Sequence, residues 1–337
     1  MILLLSSSSD TNLDFVIEWL TFYGHPYLRL NADDPLHDAF HLALNPPDPP
    51  RLMVRGAEVE LSAIGAVWLR QFGNLRRSRY WFDAKNRVRP DALEQISREQ
   101  SILLGGLLSL LSGKHWLTHP SRTHVNKLDM LVQAGRAGLV VPQTHVINRK
   151  SDLRALIERG DYICKSLYEP MFLKDGSGFY AMFTTKVTHE DLELLDDELA
   201  PSLVQRLVPK EYELRVFYLA GQCYSMAIFS QQRARSALDF RNVDWTDPPR
   251  QVPYELPPEI AEAVHRFMTG IGLNCGSLDL IKAQDGKYYF LEVNPAGQFG
   301  MVAFPCNYPL YEKIALHLIE HDTVSYTHLT LPTNREV

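Results

Sequence analysis

Asp279, Glu292 and Asn294 fall in one short stretch, residues 276–300 (GSLDLIKAQDGKYYFLEVNPAGQFG), which reads as two apolar strands around Asp285-Gly286. If Asp285 and Gly286 are the central residues of a two-residue type I′ hairpin, paired positions sum to a constant and Asp279 faces Glu292. The two-residue period of a strand then puts Phe290, Glu292 and Asn294 on one face and Tyr289, Leu291 and Val293 on the other. Like charges directly opposite destabilise a sheet, so a cation between them is expected. An all-oxygen donor set selects a hard ion, Mg²⁺ first. The alternative is a solvated acidic hairpin face, against which the apolar surroundings LDLI and YYFLEV count.

Basic groups stand upstream. Lys165 lies inside YICKSL; burying an unpaired ammonium costs several kcal/mol, so an inward Lys165 needs an anionic partner, the alternative being that it points outward. Lys127 follows Asn126 on a helix, where a solvated lysine is the common case. In FLKDGSGF, Gly176 and Gly178 around Ser177 would let backbone N–H groups approach phosphate oxygens. The stretch lacks the P-loop pattern, and most such runs are ordinary turns. Glu213 and Arg215 share one strand face in ELRV, and Arg241 follows in ALDFRN. Each arginine alone is more often a surface ion pair. Together, Arg215, Arg241 and Lys165 opposite the oxygen donors have the composition of a metal–polyphosphate site, because guanidinium forks bind phosphate bidentately.

The chain has 337 residues, enough for two or three domains. Its net charge of −6 supplies no overall basic field, so nucleic acid is not expected as a partner. No apolar run is long enough for a membrane span, and the first residues read as a strand and not as a signal peptide. The four cysteines lack zinc spacing and read as buried free thiols of a reducing cytoplasm. Residues 1–120 read as a small α/β domain opening with a strand at 2–5, a helix at 12–23 and a strand at 27–30. It continues with a hairpin around Gly56, a strand at 66–70 and a helix at 91–111 whose stripe is Leu93, Ile96, Leu103, Leu107 and Leu110. Residues 121–201 read as a second α/β unit opening with a helix capped by Ser121, its stripe Val125, Leu128 and Val132. Residues 202–323 carry strands, a helix at 258–268, the hairpin and a last helix at 311–320. Residues 324–337 change character abruptly, resemble a translated adaptor sequence and are expected to be non-native and disordered. The fold class is α/β (α+β).

The order Lys127, Lys165, glycine loop, VQRLV, ELRV, DFRN, LDLI, LEVNP resembles the ATP-grasp fold over nearly the whole chain, with an N-terminal pre-ATP-grasp domain. SMAIFSQ, LDFRN, VPYELP, NPAGQFGMV and PCNYPL resemble, within it, the grasp-with-spasm peptide maturases related to the microviridin or graspetide ligases. The resemblance implies ATP and Mg²⁺ as cofactors. Lys127 and Lys165 would contact ATP phosphates and adenine, Gln205, Arg206, Leu207 and Val208 would form the adenine hinge, and Glu213 would bind ribose. Asp279, Glu292 and Asn294 would hold the Mg²⁺, and Arg215 and Arg241 would steady the transferring phosphoryl group. Arg206 departs from the glutamate usual at the hinge. A backbone contact to adenine survives that change, whereas a side-chain contact to its amine does not. The implied reaction activates Asp or Glu side chains of a precursor peptide, bound through leader and core, as acyl-phosphates and closes ω-ester or ω-amide rings. Related ligases often pair, which implies a homodimer. Two other readings remain: a ligase adding an amino acid to a small molecule or protein tail, and an ATP-binding module without catalysis.

Overall fold

The structure is a computed structural model describing residues 1–72, 83–85, 87–167, 172–175, 178–181, 184–231, 238 and 246–322. Gly176, Ser177, Arg241 and the 324–337 tail lie outside the described residues. Two compact units emerge, Met1–Thr123 with Pro309–Val337, and His124–Tyr308.

In the first unit, β1 (Ile2–Ser6) and β2 (Tyr27–Asn31) pair in parallel across the helix α1 (Thr11–Phe22). Every residue of β1 is buried, which is why ILLLS is apolar almost throughout and does not alternate. After the short helix α2 (Asp34–His37), β3 (Phe40–Ala43), β4 (Arg51–Val54) and β5 (Ala57–Glu60) form an antiparallel sheet. Its Arg55-Gly56 turn has φ of 51° and 81° at the two positions, the left-handed pair a two-residue hairpin needs. β6 (Ala66–Leu69) and β7 (His115–Trp116) extend the first sheet to the order β2-β1-β6-β7, the long helix α3 (Pro90–Leu110) lying between them in sequence. The buried stripe of α3 is Leu93, Gln100, Leu104 and Leu107; of the expected stripe Leu93 and Leu107 are buried, Ile96 and Leu103 half-buried and Leu110 exposed.

Where the parallel strands β1 and β6 end, Asp10 accepts hydrogen bonds from Ser6 Oγ at 2.7 Å and Arg70 Nε at 2.6 Å. The Asp10 and Arg70 side chains are 1% and 3% exposed. Asp10→Ala would remove the carboxylate partner of a buried guanidinium and is expected to destabilise this unit by about 3–5 kcal/mol, read as a lower urea midpoint.

The second unit opens with α4 (Lys127–Arg136), β8 (Thr144–Arg149), α5 (Lys150–Ile157), β9 (Tyr162–Lys165) and the hairpin β10 (Phe172–Asp175) and β11 (Gly178–Ala181). After β12 (Thr185–Val187), α6 (His189–Leu194) and β13 (Glu198–Arg206), four of these strands form a sheet ordered β12-β9-β13-β8. α4 starts later than expected because Asn126, not Ser121, is its cap: the Asn126 Oδ1 accepts from the N–H groups of Leu128 and Asp129 at 2.9 and 3.3 Å. The buried stripe is also a different one from that expected: Met130, Leu131 and Ala134 are buried while Leu128 and Val132 are exposed.

A larger antiparallel sheet follows: β14 (Lys210–Leu219), β15 (Gln222–Phe229), β16 (Arg250–Tyr254), β17 (Cys275–Ala283) and β18 (Tyr288–Asn294), ordered β16-β15-β14-β17-β18. One face packs Leu214, Val216, Leu278, Leu280 and Phe290 with Phe267 and Met268 of α7 (Pro258–Gly270) and with Met130 and Ala134 of α4. The other face carries Glu213, Arg215 and Asp279. α8 (Gly300–Cys306) closes this unit, and α9 (Leu310–His321) packs in the first, against α1 and β6. Leu316 of α9 is exposed, whereas Ile314 and Leu318 are buried.

Asp279 does pair with Glu292, but not through a two-residue turn. The Gly286 N–H bonds the Ala283 carbonyl at 3.0 Å, the Ala283 N–H bonds the Lys287 carbonyl at 2.9 Å, and Gly286 takes φ of 83°. The loop is therefore the three-residue kind with glycine in the left-handed position. This moves the pairing by one, giving Lys282↔Tyr288 and Leu280↔Phe290; an irregularity before Asp279 then moves it back. Leu291 is the extra residue of this bulge. Phe290 consequently does not share the Glu292 face, but packs in the core with Val293, while Leu291 and Glu292 both line a cavity on the opposite side.

The four cysteines are free thiols; Cys275 and Cys306 are buried and Cys164 and Cys223 half-buried. Among the described residues no helix is long and apolar enough to cross a membrane.

Candidate active site

Within the second unit a cavity of about 400 Å³ gathers most of the residues singled out in the sequence. That volume falls in the usual range for small-molecule sites. Lys127, Lys165, Gln205, Arg206, Leu207, Val208, Glu213, Asp279 and Glu292 all line it. Apolar wall is supplied by Pro142, Ile163, Leu207, Val208, Ile281 and Leu291.

Backbone register positions the charged groups. Lys127 is the first residue of α4, and α4 packs against β18, which carries Glu292. The Lys127 ammonium stands 3.9 Å from a Glu292 carboxylate oxygen and donates to the Ser166 carbonyl at 3.1 Å. Lys165 ends β9, opposite Leu203 of β13, and faces the cavity. Gln205 is buried in β13 and donates from Nε2 to Thr144 Oγ1 at 2.9 Å. Arg206 ends the strand and Leu207 leaves it, their N–H groups bonded to the carbonyls of Gln143 and Asp161, both at 2.9 Å. The Arg206 guanidinium packs over Gly160, whose absent Cβ would sit 3.3 Å from Nη2.

Glu213 and Arg215 do share a face of β14. The Glu213 carboxylate accepts from the Lys210 ammonium and from Ser230 Oγ, the latter at 2.8 Å. Burial pushes this carboxyl above its usual range, and the Lys210 ammonium and Ser230 hydroxyl oppose that shift. Arg215 stands opposite Asp279 across β14 and β17, with Nη1 donating to Oδ1 at 2.6 Å between side chains 10% exposed each. Its Nε is buried without a hydrogen-bond acceptor. Asp279 is therefore matched by a cation of the chain itself, and electrostatics alone no longer demand a bound ion between the two acids.

Asn294 is in register with Ser277 and exposed, and its Oδ1 accepts from the Ala296 N–H at 3.1 Å in a tight turn. It is not among the cavity-lining residues. The turn packs closely: a Cβ on Gly297 would lie 2.4 Å from Ser277 Cβ and Oγ. Gly297→Ala is thus expected to push the 294–298 loop away from Ser277 and displace Asn294. Turnover should fall about tenfold or more, with a far smaller change in melting temperature, measured by steady-state kinetics beside thermal denaturation.

Lys210 and Ser230 went unremarked in the sequence, and Leu291 was assigned to the face opposite Glu292. Lys210, three residues before Glu213 and buried with it, was the available signal. Ser230 and Leu291 carried none, since one depends on the β14–β15 pairing and the other on the bulge.

No protein-family model matches the chain, and no curated protein matches it significantly. Solved structures do. A Chryseobacterium gregarium RiPP-associated ATP-grasp ligase in complex with ADP and a leader and core peptide superposes with a TM-score of 0.84 at 24% identity, over 95% of this chain and 96% of that one. The macrocyclase MdnC of Microcystis aeruginosa MRC, bound with precursor peptide MdnA, gives a TM-score of 0.78 at 26% identity, over 95% and 99%. The ATP-grasp ligase PsnB, complexed with a phosphomimetic variant of its minimal precursor, Mg and ADP, gives 0.74 at 20% identity, over 95% and 98%. The chain has the α/β ATP-grasp fold, and its structural neighbours are ligases of the kind the sequence resembles. The ADP and Mg in those complexes agree with the ATP and Mg²⁺ expected here.

Proposed function

We propose that this chain is an ATP-dependent ligase that activates Asp or Glu side chains of a ribosomally made precursor peptide as acyl-phosphates. A hydroxyl or amine of the same peptide then closes an ω-ester or ω-amide ring. The observation that carries this reading is the single cavity in which the hinge residues Gln205, Arg206, Leu207 and Val208 meet Lys127, Lys165, Asp279 and Glu292.

The apolar wall of Ile163, Leu207, Val208, Ile281 and Leu291 suits an adenine ring, with the hinge backbone as its polar partner. Arg206 turns its guanidinium onto Gly160, which supports recognition through the backbone and not through the side chain. Glu213, fixed by Lys210 and Ser230, would accept from a ribose hydroxyl. Lys127 and Lys165 would neutralise phosphate oxygens. The donor set of Asp279, Glu292 and Asn294 is all oxygen and fits Mg²⁺, which commonly takes one or two carboxylates and completes its shell with phosphate oxygens and water. When bound, Mg²⁺ would offset the phosphate charge during transfer. Arg215 would keep Asp279 oriented while its buried Nε offers a donor to an incoming phosphoryl oxygen. Arg241 is proposed for the same phosphoryl group on the sequence resemblance alone. Alignment and charge stabilisation carry such a reaction, and no protein nucleophile is invoked. The precursor would bind through leader and core, the assembly would be a homodimer, and the setting cytoplasmic. Residues 1–120, 121–201 and 202–323 are proposed as pre-ATP-grasp domain and two ATP-grasp subdomains.

Co-expression with a candidate precursor, a short neighbouring reading frame with repeated Thr, Ser or Lys and Asp or Glu near its C-terminus, tests the reading by mass spectrometry. Loss of one water, about 18 Da, per ring is expected. A mass gain would instead identify an amino-acid-adding ligase, and bound ATP with an unchanged peptide would identify a binding module.

A further inference from the structure

The first unit holds a cluster the ligase chemistry does not use. His115 opens β7, the edge strand of the parallel sheet, and His317 and His321 lie one turn apart on α9. The ring centroids of His115 and His321 are 4.1 Å apart, those of His317 and His321 4.2 Å, and those of His115 and His317 5.6 Å. One ring nitrogen from each lies within 4.8 Å of the others.

The protonation pattern is that of a ligand set. His321 Nδ1 is 2.8 Å from the His317 carbonyl, which can only accept, so Nδ1 carries the proton and Nε2 presents a lone pair in the neutral ring. This is the carbonyl anchoring that commonly orients metal-binding imidazoles. The Nε2 atoms of His115 and His317 are buried without a hydrogen-bond partner. Three imidazoles gathered with two buried nitrogens lacking a hydrogen-bond partner make a poor piece of core, because an unmade hydrogen bond at a buried polar atom is costly.

We propose that His115, His317 and His321 bind a divalent transition metal, Zn²⁺ foremost, as a clamp tying the last helix to the edge strand of the N-terminal sheet. Nitrogen donors without carboxylate or thiolate suit Zn²⁺ and its late first-row neighbours and not Mg²⁺. Zn–N bonds of about 2.0–2.1 Å place tetrahedral donors about 3.4 Å apart, so the rings of His115 and His321, stacked at 25° here, would turn on binding for their lone pairs to converge. A fourth position is left for water.

The test uses full-length protein freed of metal with a chelator and then kept in excess Mg²⁺, so that the oxygen-ligand site is occupied. Titration with Zn²⁺ is expected to give one tight equivalent and a melting temperature higher by several degrees. His317→Gln and His321→Gln should each weaken that binding about 100-fold without changing the nucleotide affinity of the second unit. Co²⁺ in place of Zn²⁺ should give the intense visible bands of four-coordinate nitrogen ligation. Zn²⁺ binding that both variants retain would overturn the proposal. Should the variants not fold, a six-coordinate Co²⁺ spectrum from the unsubstituted chain, or no Zn²⁺ uptake by it, would overturn it equally.

Discussion

Glu292→Gln is expected to lower the rate of ring closure about 10³-fold while leaving the melting temperature within about 3 °C of the parent protein. The two halves of this expectation have separate physical sources. Glu292 is one-third exposed, and its ion pair with Lys127 is long at 3.9 Å. Pairs of that kind contribute about 0–1 kcal/mol, so folding barely registers their loss. The reaction depends on the carboxylate differently. An amide keeps an oxygen donor but no charge, and a hard cation held by fewer anionic ligands is bound more weakly and placed less well against the phosphates. A loss of several kcal/mol of charge stabilisation at the transition state corresponds to about three orders of magnitude. Part of the activity should return as Mg²⁺ is raised, because the defect lies partly in metal affinity. A variant that stays within tenfold of the parent at saturating ATP, peptide and Mg²⁺ would remove Glu292 from the proposed metal set.

How the acids come to face each other illustrates what a sequence discloses. Apolar strands around Asp285-Gly286 signal a hairpin, and the pairing of Asp279 with Glu292 is observed. The route to it was not legible. Asp-Gly serves both a two-residue turn and the last positions of a three-residue loop, and the latter is adopted. The bulge at Leu291 then restores the register, and one extra residue in a strand leaves no mark on composition. Its consequence is visible only in three dimensions: Phe290 enters the core, and Leu291 joins Glu292 at the cavity.

The helix beginning at Lys127 teaches a related lesson. Ser121 and Asn126 are both good caps by residue type, and choosing between them required knowing which side-chain oxygen reaches the free N–H groups. The choice matters for the site, since a start at Lys127 sets that ammonium at the helix entrance beside Glu292. Lys165 could be read because a lysine in an apolar strand is conspicuous. The partner of Arg215 could not, because strands 64 residues apart had to be paired first. The histidine cluster is more distant still, joining His115 to a helix at the far end of the chain.

Arg215→Met should cost about 3–5 kcal/mol of stability, and Arg215→Met combined with Asp279→Leu should recover most of that loss without recovering activity. Arg215 and Asp279 face each other in register across β14 and β17, 2.6 Å apart, with side chains 10% exposed each. Removing the guanidinium takes from a buried carboxylate the cation bonded to it at 2.6 Å, and with it part of what offsets its desolvation. Replacing both groups by apolar side chains removes the charge together with its penalty, and such exchanges are often neutral or better. Chemical denaturation of the parent, the single variants and the double variant gives the coupling energy directly. A cation should act on the single variant in a specific way: Mg²⁺ with nucleotide supplies Asp279 with a new partner, so the Arg215→Met deficit ought to shrink when both are present and persist with nucleotide alone. Catalysis should follow the opposite logic. The double variant lacks both the carboxylate proposed to hold the metal and the donor proposed to meet the phosphoryl group, so it is expected to be stable and inactive. A double variant that still cyclises peptide would reduce the pair to a structural ion bridge, and one no more stable than Arg215→Met would show that packing, not the lost ion pair, sets the cost.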